Sequence, residues 1–535
     1  QEVQIAARLG GVALLVLLIA VANVVNLLLA RAVQRRREIA VRLALGISRS
    51  RLVRLLVAES VLLAVLAGAA AILAAAWGGR VIRALLLPGV HWATTPLHWR
   101  VLAFSLVITL AVGIVAGLIP ALQSTTPDLT RALKAGAREG TTQHARLRAA
   151  LVMLQAALSV VLLVGAALFL DSLRNVRGLD LGYDSNHLVF ADVSFETPDS
   201  MRDSRVGFDF AALADRLRAA PGVQQVALAS MQPMYGFSWL TYFPEADTIT
   251  HKIPDTFFTG VSPEYFAAVG IRVLRGRTFP VGSAPSNTVV INEALAHALW
   301  PGENPIGRCM RFAKRDAPCY TIIGVVENAR RSSVIEDATA QYYLPLGRVP
   351  GGKYGSQVRT IIVRADPHAM PLVEQEIQSD IRRAFPSGWP VITRMTDQLE
   401  PQYRPWRLGA TLFTLFGALA MIVAAVGIYS TISYTVNQRV HEFGVRVALG
   451  ARTHDVVRHV VASALRQVGI GVAVGAALAL AGGRLVASLL YGVRPSNPVI
   501  MLTVAMVLLC VAAIAALAPA WRAARVDPVI ALRAE

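Results

Sequence analysis

Between residues 9 and 30 this chain carries no charged side chain, and the same holds for 60–79, 101–122, 149–170, 408–437 and 499–520. An α-helix needs about 20 apolar residues, each rising roughly 1.5 Å, to cross a bilayer. Lipid offers backbone amides no hydrogen-bond partner, so such runs must form helices that satisfy those groups internally. A seventh stretch, 461–483, holds Arg466 near one end, where its long side chain can reach the headgroup layer. The expected spans are therefore about 9–30, 57–79, 101–122, 149–170, 408–436, 461–483 and 499–520. Only 16% of the 535 residues are charged, against about 25% in soluble chains. The chain reads as a multi-pass α-helical membrane protein.

A net charge of +18 would suit a nucleic-acid binder, so the position of the charges decides its meaning. The loop 31–55 holds eight arginines, among them Arg35, Arg36, Arg37 and Arg42. Segment 123–148 adds Arg131, Lys134, Arg138, Arg146 and Arg148. Loop 437–460 has Arg439, Arg446, Arg452 and Arg458, and the tail has Arg522, Arg525 and Arg533. Basic residues beside spans mark the cytoplasmic side. Placing all four segments inside alternates correctly with seven spans, putting Gln1 outside and the C-terminal Glu535 in the cytoplasm. The basic excess is then a topology signal, with anionic lipid headgroups as partners. No basic motif interleaves with aromatic residues, so no nucleic acid is expected.

An internal repeat organises the chain. The nine residues from Glu38 to Gly46 recur from Glu442 to Gly450, at an offset of 404. Glu38, Val41, Arg42, Ala44, Leu45 and Gly46 keep their identities. At the same offset, Gly78-Gly79-Arg80 matches Gly482-Gly483-Arg484. Pro120-Ala121 matches Pro519-Ala520 at an offset of 399, the difference falling in the loop 87–98. A three-span module is thus present twice in the same orientation, the relation of a two-fold pore or gate. The organisation expected is a first module over 1–134, a cytoplasmic linker and fourth span over 135–170, an outside domain over 171–405 and a second module over 406–535. The second module is preceded by a span and an outside domain; a corresponding pair is expected before Gln1.

Residues 171–405 hold no spanning run. Strand-like stretches at 188–194, 223–229, 288–291, 320–326 and 359–363 alternate with helix-like pieces at 208–219, 263–269, 293–299 and 372–385. This predicts a mixed α+β domain, read as two lobes. Cys309 and Cys319 flank a turn-like stretch between strand-like segments. Either a cross-strand disulfide in an oxidising compartment or two unpaired thiols fits that spacing.

The repeated motif predicts a short amphipathic helix in each copy. Glu38 with Arg42, and Glu442 with Arg446, stand four apart and can pair along a helix face. Gly46 and Gly450 can close each helix. Ile39, Leu43, Phe443 and Val447 would dock on the spans or in a partner's groove. Either the helices only cap the spans at the interface, or they contact a partner; the Glu, Val, Arg, Ala, Leu and Gly identities kept in both copies favour the partner.

The motif after a span, the run from Pro519-Ala520 to Asp527-Pro528 and Arg533, and the order span, outside domain, three spans resemble FtsX/MacB-type ABC transporter permeases. The duplicated form without a fused ATPase is similar to the acidobacterial-type duplicated orphan permeases. Ser262 to Phe266, Gly276 to Phe279 and Asn304 to Arg308 resemble the MacB-like periplasmic core domain of that family. The first copy has Asp128-Leu129 where the pattern has Asp-Pro. The resemblance implies two parallel FtsX-like modules and one MacB-like α+β domain, in a bacterial inner membrane with 171–405 in the periplasm. It also implies ATPase-coupling residues Glu38, Arg42, Gly46, Glu442, Arg446 and Gly450. A MacB/LolD-type ABC ATPase acting in trans would bind ATP and Mg, and a periplasmic adaptor or substrate would engage the outside domain. Efflux or export is the function implied; mechanical signalling to a periplasmic partner without transport is the alternative.

No Walker A motif occurs, and Gly351-Gly352-Lys353 has the wrong spacing for one. His454 and His459 lack helical metal-ligand spacing, so no metal is expected. No Gly-x-Ser-x-Gly element or catalytic constellation is present, so no cofactor and no enzyme are expected in this chain. Asn23 and Asn26 share a face of the first span, where interhelical hydrogen bonding is favoured over lining a pathway. The glycines of 113–117 and 469–483 suit close helix contact.

Overall fold

The computed structural model describes residues 2–34, 42, 45, 47–86, 99–125, 140–194, 204–235, 242–244, 256–282, 287–312, 314, 316–347, 358–385, 388–449 and 452–525. The chain divides into two compact units, Gln1–Leu173 with Trp406–Glu535, and Arg174–Pro405.

In the first unit, helices α1 (Glu2–Gln34), α2 (Arg49–Leu86) and α3 (Trp99–Thr125) precede α4 (Gly140–Arg177). Seven described helices are long and apolar enough to cross a membrane, one at each expected span. The others of these seven lie in the second part of the chain, after the strands and short helices of the second unit.

That second unit contains strands β1 (Leu188–Ser194), β2 (Val223–Ala229), β3 (Tyr242–Pro244), β4 (Phe257–Val261), β5 (Val273–Gly276) and β6 (Thr288–Asn292). It continues with β7 (Cys309–Phe312), β8 (Tyr320–Val326), β9 (Gln341–Pro345), β10 (Thr360–Ala365) and β11 (Trp389–Arg394). Helices α5 (Ser204–Arg218), α6 (Tyr265–Val269), α7 (Glu293–Leu299) and α8 (Met370–Ala384) are interspersed. Four of the expected strand-like stretches start where strands start, and the four helix-like pieces are all helical. The two expected lobes are instead joined in one mixed sheet, ordered β11-β1-β10-β2-β4-β9-β6-β8-β7-β3, with β5 paired to β8.

Two apolar cores nevertheless lie along that sheet. One packs Phe210, Leu213, Leu217, Val373, Ile377 and Ile381 of α5 and α8 on β1, β2 and β10. The other packs Leu295 and Leu299 of α7 with Phe312, Ile322 and Tyr342 of β7, β8 and β9. Strands β2 and β4 meet through one residue pair, Ala229 with Val261, so the cores are bridged where the ladder is thinnest.

The chain then enters α9 (Met395–Gln438), α10 (Val440–Ala448), α11 (Thr453–Val486) and α12 (Pro498–Ala524). The repeat extends to element boundaries: α2 and α11 begin at Arg49 and Thr453, 404 residues apart. Helices α3 and α12 run from Trp99 to Thr125 and from Pro498 to Ala524, both ends 399 apart. In each copy a small residue sits at the hairpin contact. A Cβ on Gly113 would lie 2.8 Å from Ala64 Cβ, and one on Gly117 would lie 2.7 Å from Ser60. Their counterparts in α12, Ala512 and Ala516, are fully buried.

Helix α4 packs on the second module. Val152, Ala156, Val160, Val164 and Leu168 join Ile428, Val468, Ala479, Val504 and Leu508 in one core. Close approach explains the glycines of α11: a Cβ on Gly475 would lie 2.5 Å from Ala157 O, and one on Gly471 2.6 Å from Met153 O. Gly469 and Gly482 have nothing within 4 Å, so helix contact does not explain every glycine there. Helix α1 joins through Ile19, against Leu158, Leu162 and Ala420.

Candidate functional site

Helix α10 is short because Val440–Ala448 offers one apolar face and then reaches Leu449 and a turn. Phe443 is 2% exposed, in a cluster with Val436, Val456, Val460, Ala520, Ala523 and Ala524. The helix is therefore docked on its own module by its apolar side. Its other side carries Glu442, whose Oε1 accepts from Arg446 Nη2 at 2.7 Å. Arg439 Nε lies 3.7 Å from Glu442 Oε2. Glu442 and Arg446 are exposed, and Leu449 is 83% exposed, leaving a charged pair and a large apolar side chain facing outward together. The following turn is held by Asp455, whose Oδ2 accepts from Arg452 N at 3.3 Å as α11 begins.

In the first copy, Glu38 and Gly46 lie outside the described residues, as does Gly450 in the second. Arg42 is helical and half-buried, its carbonyl accepting from Ile47 N at 3.2 Å. Leu45, the counterpart of Leu449, is 78% exposed. Asp128, Leu129, Asp527, Pro528 and Arg533 also lie outside the described residues.

Where α1, α4 and α9 meet, polar side chains share the interior. Asn26 Nδ2 donates to Thr431 Oγ1 at 2.8 Å and to Gly427 O at 3.4 Å. This is the interhelical bonding expected of that face. Gln155 is fully buried, and a Cβ on Gly427 would lie 2.6 Å from its Oε1 and 3.1 Å from Asn23 Oδ1. Sequence reasoning missed this convergence beyond the two asparagines. It also placed Arg148 in a basic inner segment, whereas Arg148 is in α4 and buried. The signal available was heptad spacing, since Arg148, Gln155 and Ser159 fall on one face of a helix.

In the outside unit Cys309 and Cys319 form a disulfide with Cα atoms 5.5 Å apart, joining β7 to the residue before β8. Cys510, in α12, is a free thiol. A cavity of about 30 Å³ is lined by Tyr183, Met234, Phe257, Tyr265, Gln341 and Tyr343, room for water and not for a cargo molecule. Met234 has φ +60°, a left-handed backbone at a non-glycine residue beside that cavity. Burial pushes the Tyr183, Tyr265 and Tyr343 hydroxyls well above the ordinary phenol range, so they stay neutral donors. The first turns of α9 hold two neighbouring loops. Gln398 Nε2 donates to Pro233 O at 2.9 Å, and Gln402 Oε1 accepts from Val334 N at 2.9 Å. Among the described residues no group of three or more His, Cys, Asp or Glu side chains is placed to hold a metal.

Seven apolar helices, a repeated three-helix module and one mixed α+β unit define a multi-pass membrane protein with an extracytoplasmic domain. Known proteins narrow that class. Residues 149–380 match the model of the MacB-like periplasmic core domain, and 10–128 with 414–528 match the FtsX-like permease C-terminal model. The chain belongs to the FtsX/MacB-type ABC transporter permeases. It is 30% identical over 298 residues to the macrolide export ATP-binding/permease protein MacB of Rhodospirillum rubrum, covering 52% of this chain and 43% of that protein. It is 26% identical over 311 residues to a probable syringafactin export ATP-binding/permease protein of Pseudomonas syringae, covering 57% of this chain and 45% of that protein. The chain thus spans less than half the length of these relatives. The periplasmic region of MacB from Actinobacillus actinomycetemcomitans aligns at TM-score 0.30 and 18% identity, covering 42% of this chain and 94% of that one.

Proposed function

We propose that this chain is the membrane subunit of an ABC-type exporter whose ATP hydrolysis is supplied by a separate ATPase. The observation that carries the reading is α10: its apolar side is fixed to the module by Phe443, while Glu442, Arg446 and Leu449 stay exposed. A helix docked on one side and unoccupied on the other can receive a soluble partner and pass its movement to α9, α11 and α12. Glu38, Arg42 and Gly46 would form the matching contact in the first copy, with Gly450 closing the second. ATP and Mg would be held by the partner. In this reading both contacts and the C-terminus lie in the cytoplasm and 171–405 in the periplasm, a placement the arginine distribution supports. The outside domain would then be driven by closure of the ATPase pair. Relatives named for export of a macrolide and of syringafactin support export as the output.

The test is reconstitution of the full chain with the ATPase that co-purifies from native membrane. Arg446→Glu should abolish the permease's stimulation of ATP hydrolysis while insertion and yield stay unchanged. Unaltered stimulation would reject the coupling role.

A further inference from the structure

Helix α4 carries into the helix packing one cation that no charged side chain among the described residues is seen to neutralise. Arg148 is 2% exposed, and its Nε, Nη1 and Nη2 all lack hydrogen-bond partners. Its guanidinium lies over the Tyr434 ring of α9, 3.6 Å from the centroid. That contact engages only the flat face of the group. The N–H bonds lie in the plane and leave from its edge, so the ring leaves them unused. The Tyr434 hydroxyl accepts from Gln438 Nε2 instead. The carboxylates of Glu442 and Asp455 are engaged elsewhere, Glu442 with Arg446 and Asp455 with His454 and the Arg452 amide.

Arg148 stands at one end of the span Leu147–Arg177, the depth at which headgroups meet the hydrocarbon. Deeper along the same seam, both amide atoms of Gln155 and the Oδ1 of Asn23 are buried and also lack partners. A buried charge removed from water and left unpaired is unfavourable, so Arg148 calls for an anion.

We propose that Arg148 binds the headgroup phosphate of an anionic phospholipid seated where α1, α4 and α9 meet. Phosphate oxygens match the guanidinium edge in a two-pronged fashion. A zwitterionic headgroup brings its own ammonium beside the guanidinium and does not neutralise the site. The surroundings select a lipid over a soluble anion. Leu147 and Leu151 flank Arg148 and pack in an apolar cluster with Val25 and Ala116. Helix α2 exposes Leu62 and Leu66 in the half of its span nearer the same face, a surface suited to acyl chains.

Native mass spectrometry of the detergent-purified full chain, offered phosphatidylglycerol or phosphatidylcholine, tests this. The wild type should retain phosphatidylglycerol in preference to phosphatidylcholine. Arg148→Gln should bind phosphatidylglycerol about tenfold or more weakly, the loss expected when a charged hydrogen-bond donor is removed. Arg522→Gln, which alters the exposed pair with Tyr429, should bind like the wild type. Equal affinity of the wild type for the two lipids would overturn the proposal, and that comparison needs no variant to fold. So would retention by Arg148→Gln equal to the wild type, or an equal loss in Arg522→Gln, which would mean general surface charge is what is read.

Discussion

Phe443 and Leu449 lie six residues apart in sequence and play opposite parts: one fixes α10 to its module, the other is turned away from it. Phe443→Ala should cost about 3 kcal/mol of local packing and strip the amides of 440–448 of hydrogen-exchange protection. Leu449→Ala should leave that protection unchanged and weaken stimulation of the ATPase. Asp192 gives a pH-dependent case. Burial raises its pKa, although Thr360 Oγ1 donates at 2.6 Å and Gln232 Nε2 at 2.5 Å. Because the folded state holds this proton more tightly than the unfolded chain, stability is greatest below the ordinary aspartate value and declines as pH rises through the raised one. The melting temperature of Asp192→Asn relative to the wild type should therefore climb as pH is raised from about 4 to 8, and a flat difference would contradict the shift. At this scale the Glu442–Arg446 pair was legible, because four-residue spacing on a helix is a local rule. The burial of Arg148 was not, because a charged residue beside a span reads as a loop residue until its neighbours on α9 are known.

Among the elements, α11 and α2 are copies that differ where packing differs. Gly471 and Gly475 of α11 lie against α4, while Ala67 and Ala71, the positions 404 residues earlier in α2, are exposed. Gly475→Val should push α11 off α4, because even a Cβ would sit 2.5 Å from Ala157 O. Lower yield and a lower melting temperature in detergent are expected, whereas Ala71→Val should have little effect on either. The repeat predicted the counterpart positions but not which copy needs glycine, since that depends on a helix from elsewhere in the chain. The expected span at about 408–436 lies inside α9, which starts earlier, at Met395, and runs through Pro401 and Pro405. Proline lacks the amide and discourages helix locally. The hydrogen bonds from Gln398 and Gln402 to flanking loops help hold those first turns. Strand β9 escaped notice for a different reason. All five residues of β9 are buried, so no polar alternation marks it.

For the whole molecule, the two modules must lie the same way up. Single cysteines at Arg42 and Arg446, in a chain with Cys510 replaced, should be labelled by an impermeant thiol reagent from the same face of the membrane. Labelling from opposite faces would dismantle the parallel repeat. The Cys309–Cys319 bridge closes a short loop at the edge of the outside unit. Replacing both cysteines by serine should cost about 2 kcal/mol, read as a lower melting temperature of that unit, with the number of spans untouched.

Hydropathy summed along the chain marked by itself the seven segments that are long and apolar enough to cross a bilayer. The recurrence of Glu442 to Leu449 in the first module established its duplicated plan. Both are properties of neighbours in sequence: lipid reads apolar length, and a copied segment keeps its order. Only the tertiary structure decided which faces of α1, α4 and α9 meet, that two apolar cores share one sheet, and that Arg148 is buried against Tyr434. Those outcomes depend on contacts between residues as far apart as Asn26 and Thr431, whose geometry is set by packing rather than by any local pattern.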